Sequence, residues 1–126
     1  MGGRPRGSRP AIEPGHVWFV DFEPVRGREQ GKERPALVVS SRFHLDLTMG
    51  HLVSVLPLTT IERWGWMHRV HVATGGGWVI TEQIRTVSAD RFRRFAPEIT
   101  LSSAELNEVQ RVLGQMLITS GSPNVG

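Results

Sequence analysis

Residues 15–40 read GHVWFVDFEPVRGREQGKERPALVVS, and the fold turns on how this stretch divides. His16 to Glu23 is dense in β-branched and aromatic side chains, the composition of a strand. Pro24 to Glu33 holds two glycines, a proline and mostly polar or charged side chains, which makes it a long loop. Pro35 to Ser40 is apolar at both parities, so it is expected to be a central strand covered on both faces. Pro35 opens that strand, where a missing N–H is tolerated.

Outward from this pair, Leu52 to Thr60 reads as a third strand, and Pro57 inside it predicts a bulge, a bend or an edge position. Arg69 to Ala73 alternates, with Val70 and Val72 inward and His71 outward. Gly75–Gly77 is a turn, and Trp78 to Thr81 and Ile84 to Val87 are further strand material. Ser102 and Glu105 form a capping box ahead of a helix, with Leu106, Val109, Leu113, Met116 and Leu117 on one face. Gly121 and Pro123 end it. Five to seven short strands and one amphipathic helix give a mainly β fold with a C-terminal helix. The expected shape is a small, strongly bent β-barrel with the helix packed on it. Residues 1–13 (MGGRPRGSRPAIE) are expected to be a disordered basic tail, residues 14–120 one domain, and residues 121–126 a flexible C-terminus.

A chain of 126 residues supports one core. It contains no cysteine, which excludes disulfides, thiolate zinc sites and thiol nucleophiles. No run approaches the roughly 18 apolar residues of a membrane span. The basic N-terminus is not followed by the apolar stretch of a secretory signal, so a cytoplasmic location is expected. The isoelectric point of about 10.9 invites a nucleic-acid reading. It overstates the charge, because fifteen basic residues face twelve acidic ones and the net charge is only +3. Fourteen of the fifteen are Arg, and there is no Tyr or Cys to titrate near pH 10. Residues 1–13 carry +2 of the total. An argument for nucleic acid must therefore rest on where charges cluster.

They cluster in the loop. Arg26, Arg28, Lys32 and Arg34 lie within nine positions, interleaved with Glu29 and Glu33. Such a loop is either a solvated surface whose charges pair with one another or an anion-binding element. In the second case arginine forks meet phosphate and a carboxylate accepts a proton. Thr59 and Thr60 close the third strand, with hydroxyls able to hold phosphate or to satisfy backbone. Gln83 and Arg85 are expected on one face of a strand, and Arg91, Arg93 and Arg94 form a second basic cluster. Trp64-Gly65-Trp66 either closes one end of the barrel or offers rings to bases or a partner peptide. His68 and His71 are three apart in strand-like sequence and face opposite sides, so they cannot chelate as a pair. No G-x-S-x-G elbow is present, and Lys32 is followed by Glu33 rather than Ser or Thr, so neither a serine hydrolase nor a nucleoside-triphosphate loop is indicated.

Four motifs occur in order: G-x-V-W-x-V-D-F-x-P at Gly15 to Pro24, G-x-E-Q-x-x-x-R-P at Gly27 to Pro35, P-L-T-T at Pro57 to Thr60, and E-Q-I-R-T at Glu82 to Thr86. Together they resemble the MazF/PemK family of toxin endoribonucleases, over about residues 14–118. The resemblance implies an SH3-like small β-barrel of the PemK/CcdB type, usually a homodimer, held in check by an antitoxin protein. It implies metal-independent, sequence-specific cutting of single-stranded RNA by the 2′-hydroxyl, with no cofactor. It places the catalytic residues at Arg34, Thr59 and Glu29, and RNA contacts at Arg28, Gln30, Lys32, Phe22, Gln83 and Arg85. Arg28 departs from the small residue common at that family position. Glu29 is either the base or the orienting partner of Arg34. Trp18 is assigned to the core. The other readings of the same barrel are a gyrase poison like CcdB and a non-catalytic RNA-binding module.

Overall fold

The computed structural model describes residues 10–22, 33–62 and 68–117. Strand β1 (Val17–Asp21) pairs antiparallel with β2 (Glu33–Val38), from Val17 opposite Leu37 to Asp21 opposite Glu33. β2 starts two residues earlier than the sequence suggests, because the ladder to β1 holds Glu33 and Arg34 in extended form.

Strand β3 (Leu52–Thr59) is the hub. On one side it pairs with β2, from Val38 opposite Val55 to Ala36 opposite Pro57. On the other side its first half pairs with β6 (Arg85–Ser88), and its last two residues pair with β5 (Trp78–Ile80). Pro57 falls where the partner changes from β6 to β5, so the expected bend is there. A proline is tolerated at that point because no ladder on that side needs its N–H. β5 carries β4 (Arg69–His71) at its outer edge, and β1 carries β7 (Phe92–Phe95). The sheet order is β4-β5-β3-β2-β1-β7, with β6 beside β3. Among the described residues β4 and β7 do not pair, so the bent sheet stays open rather than closing fully into a barrel.

The central strands are covered on both faces, as their apolar parity requires. Leu37, Leu56, Leu58, Val70, Val72 and Val79 pack on one side under helix α2 (Ser103–Leu117), which adds Val109 and Val112. Trp18, Val20, Ala36, Val38, Val53, Val55 and Phe92 fill the other side. Trp18 is fully buried and meets Phe92 edge-on at 5.6 Å, in accord with its assignment to the core. Ile12 packs against this second cluster and Glu13 pairs with Arg42, so the packed chain begins before the expected boundary at residue 13.

Two elements were not anticipated. Helix α1 (Arg42–Leu47) is capped by Ser41, whose hydroxyl accepts from the His44 amide at 3.1 Å, and it buries only Leu45. β7 takes up Arg93 and Arg94 of the second basic cluster, with Arg91 ending the 3₁₀ turn just before it. Phe19 pairs with Arg94 and Val20 with Phe92, leaving Arg93 as the extra residue of a β-bulge. Two expectations are corrected. Thr81–Gln83 is a 3₁₀ turn, so Gln83 does not share a strand face with Arg85. Buried Thr81 ties that turn down by bonding its hydroxyl to the His68 carbonyl. In α2 the buried line runs through Val109 and Val112, while Met116 and Leu117 in the last turn are exposed because that turn runs past the packed line.

The capping box is present. Ser102 Oγ accepts from the Glu105 amide at 3.1 Å, and Glu105 returns the bond to the Ser102 amide at 2.9 Å. The second carboxylate oxygen of Glu105 accepts from the Ala73 amide at 2.9 Å, which pins the helix start to the end of β4. The Ala73 amide, and then that of Ser102, hold the Glu105 carboxyl below its ordinary pKa. A depressed carboxylate stabilises the fold above its unfolded pKa of about 4.3, and that contribution is lost as pH falls through the folded value. Glu105→Ala is therefore expected to cost about 1–2 kcal/mol at pH 7. The gap to the parent protein should narrow below about pH 4 in urea titrations. Among the described residues no helix is long and apolar enough to cross a membrane.

Candidate active site

The β2–β3 ladder is recorded from Val38/Val55 to Ala36/Pro57 and no further. Pro35 lacks an amide donor, which weakens pairing here, and at Thr59 β3 has turned to β5. The two strands part, and a cavity of about 260 Å³ opens between Arg34–Pro35 on one side and Leu58–Thr60 on the other. Gly75, Gly76 and Gly77, in the turn between β4 and β5, form its third wall.

Arg34 is exposed, opposite Val20 of β1, and makes no ion pair with a described residue. Thr59 is half-buried, and its Oγ1 accepts from the Ile61 amide at 3.1 Å. That bond uses one lone pair and leaves the hydroxyl proton free to donate into the cavity. A guanidinium and an oriented hydroxyl thus border one hollow, a donor pair that suits a phosphate. A larger cleft of about 510 Å³ lies between residues 10–12 and α1. The cation lining it, Arg42, is already paired with Glu13 and Asp46, so that cleft lacks the chemistry of the smaller one.

The remaining expected site residues fall in three groups. Glu29, Arg28, Gln30 and Lys32 lie outside the described residues, as do Trp64 and Trp66. Gln83 is exposed on the 3₁₀ turn, whose Glu82 carboxylate lies 3.1 Å from His68 Nε2. Phe22 and Arg85 come together, but not as an open stacking face. Phe22 is 6% exposed, and the Arg85 guanidinium sits 4.9 Å over its ring. The ring is part of the core beneath and positions Arg85 by a cation–π contact.

The second basic cluster is engaged in structure. Its bulge turns Arg93 onto Asp21, which is 4% exposed, at 3.2 Å. Arg94 pairs with Glu98 at 2.9 Å and covers the Phe19 ring at 4.4 Å. Arg91 donates to the Phe22 carbonyl at 3.4 Å. These contacts fix the end of β1. Among the described residues no three His, Asp or Glu side chains converge as a metal ligand set.

The glycine wall was missed, because three glycines before a strand read only as a connector. Their order just ahead of Trp78 was the available signal, but sequence does not say which cavity a turn borders.

Comparison with known proteins bears on this site. The model of the family described as PemK-like, MazF-like toxin of type II toxin–antitoxin system matches residues 13–117. Endoribonuclease MazF9 of Mycobacterium tuberculosis is 33% identical over 108 residues, covering 79% of this chain and 90% of that protein. A crystal structure of MazF from Deinococcus radiodurans superposes with a TM-score of 0.64 at 30% identity, covering 86% of this chain and 97% of its own. A MazE–MazF complex from the same organism gives 0.68 at 28% identity, covering 88% and 99%.

Proposed function

The chain belongs to the PemK-like, MazF-like family of type II toxins and is an endoribonuclease toxin of that family; on this footing we propose that Arg34 and Thr59 flank the scissile phosphate of a single-stranded RNA. The observation that carries the proposal is the cavity that holds both side chains where β2 and β3 part.

The chemistry follows from what each group can do. The substrate's 2′-hydroxyl attacks the adjacent phosphorus, and the P–O5′ bond breaks. The products are a 2′,3′-cyclic phosphate and a 5′-hydroxyl. The phosphorane between them carries two negative charges, so a cation and a donor placed at its oxygens lower the barrier. Arg34 supplies the cation and Thr59 donates its O–H to a non-bridging oxygen. A guanidinium rarely gives up a proton, so protonation of the leaving oxygen falls to water or another donor. Glu29 is the proposed base for the 2′-hydroxyl, with orientation of Arg34 as its alternative role. Arg28, Gln30 and Lys32 are proposed to read the RNA from the loop, with Gln83 and Arg85 contributing from their turn and strand. The proposed assembly is a homodimer, blocked by a cognate antitoxin; the MazE–MazF complexes among its structural neighbours support that partner.

Incubation of the purified protein with a long single-stranded RNA in EDTA tests this reading. Cuts at a short recurring sequence, bearing 5′-hydroxyl ends, are expected. Intact RNA that is nonetheless bound would leave the non-catalytic module, and intact, unbound RNA with inhibited gyrase would leave the gyrase poison. Removing residues 1–9 takes away Arg4, Arg6 and Arg9 but nothing of the cavity. The truncated protein is expected to cut at the same sequence, with a shallower dependence of RNA affinity on salt.

A further inference from the structure

All three glycines at the cavity wall have positive φ, 93° at Gly75, 74° at Gly76 and 100° at Gly77, but only two are fixed by packing. A Cβ on Gly75 would lie 2.7 Å from the Glu98 carbonyl oxygen, and one on Gly77 would lie 3.2 Å from that of Thr59. These two seat the turn on its neighbours, and Gly77 lets it approach the end of β3. Gly76 differs. A Cβ there would meet nothing within 4 Å, and its φ lies in the left-handed region, which asparagine tolerates better than most side chains. Packing does not demand glycine at this position, although its positive φ favours one, as at Gly50. Beyond that backbone freedom, glycine leaves a bare peptide on the wall of the cavity that Arg34 and Thr59 also border.

We infer that Gly76 is a substrate-positioning residue, whose bare peptide gives the RNA backbone beside the scissile phosphate room to lie against the cavity wall. This rests on the assignment of Arg34 and Thr59 to that phosphate. A side chain at residue 76 would take up open space at the cavity wall, the space here assigned to a flanking ribose. It would therefore weaken substrate binding more than the chemical step, which Gly76 does not touch.

Gly50 supplies the control. Its φ of 76° matches, a Cβ there also meets nothing within 4 Å, and it borders the cleft beside α1 rather than the active-site cavity. Gly76→Asn and Gly50→Asn therefore introduce asparagine at closely matched positive φ. The probe is a short single-stranded RNA containing the cut site mapped for the parent enzyme. Gly76→Asn is expected to raise KM about tenfold with kcat within about twofold of the parent. Gly50→Asn should leave both unchanged, with equal melting temperatures for the two variants. Gly76→Ala, with a smaller intrusion, should fall between the parent and Gly76→Asn in KM. Parental KM in Gly76→Asn would overturn the inference, as would an equal loss in Gly50→Asn or a loss confined to kcat. If Arg34→Ala remains fully active, the assignment of the site itself fails; if Arg34→Ala is inactive while Gly76→Asn binds normally, only the inference about Gly76 fails.

Discussion

Arg34→Ala is expected to lower kcat for RNA cleavage by about 10²–10³-fold while the protein melts within a degree or so of the parent. The two halves of that result have separate causes. Arg34 is exposed and forms no ion pair with a described residue, so its removal exposes no buried charge. Its main-chain place in β2, opposite Val20, is kept by alanine. What disappears is the fixed positive charge at the cavity mouth, and charge that develops in the transition state feels that loss most. Thr59→Ala is expected to lose about 10–10²-fold, since one neutral donor is worth less than a cation. Thr59→Ser, which keeps the hydroxyl, should recover most of the rate. In the proposed mechanism both groups serve one phosphorane, so the double variant should lose less than the product of the two single losses.

Trp18→Ala should have the largest effect on stability. Trp18 is fully buried at the centre of one core face, in contact with the Phe92 and Phe95 rings. Truncating a buried aromatic costs about 3–5 kcal/mol, because the cavity left behind collapses only partly. A domain of this size has about 5–15 kcal/mol in total. The melting temperature should drop by about 10–20 °C, and β7 should loosen first because Phe92 loses its neighbour. A Trp18→Ala protein that melts with the parent would mean that this face of the sheet is not a packed core.

The strands around residues 15–40 were legible because parity alone distinguishes a two-faced strand from a loop of charges. Pro57 announced a bend, and the change of partner from β6 to β5 is that bend. Helix α1 was not legible: at six residues it is too short for a 3.6-residue period to show, and only Ser41 and Gly50 punctuate it. β7 was hidden by its own bulge, since the extra Arg93 breaks the alternation that would have marked a strand. Gln83 was misplaced because E-Q-I-R-T alternates in composition while its first half turns in a 3₁₀ loop. Arg34 and Thr59 stand out through their motifs, and both border one cavity. The contact of the Arg85 guanidinium with the buried Phe22 ring joins two separate motifs, a pairing that neither motif shows alone. The glycine wall depends on how the β4–β5 hairpin folds over the end of β3, a long-range contact that no local pattern encodes.

The direct test of a 2′-hydroxyl attack at the Arg34–Thr59 cavity is a single 2′-deoxy substitution at the nucleotide 5′ to the mapped cut, in an otherwise unchanged RNA. Binding should persist within a few-fold while cleavage at that site stops. Cleavage of the 2′-deoxy substrate at the rate of the parent RNA would contradict the mechanism.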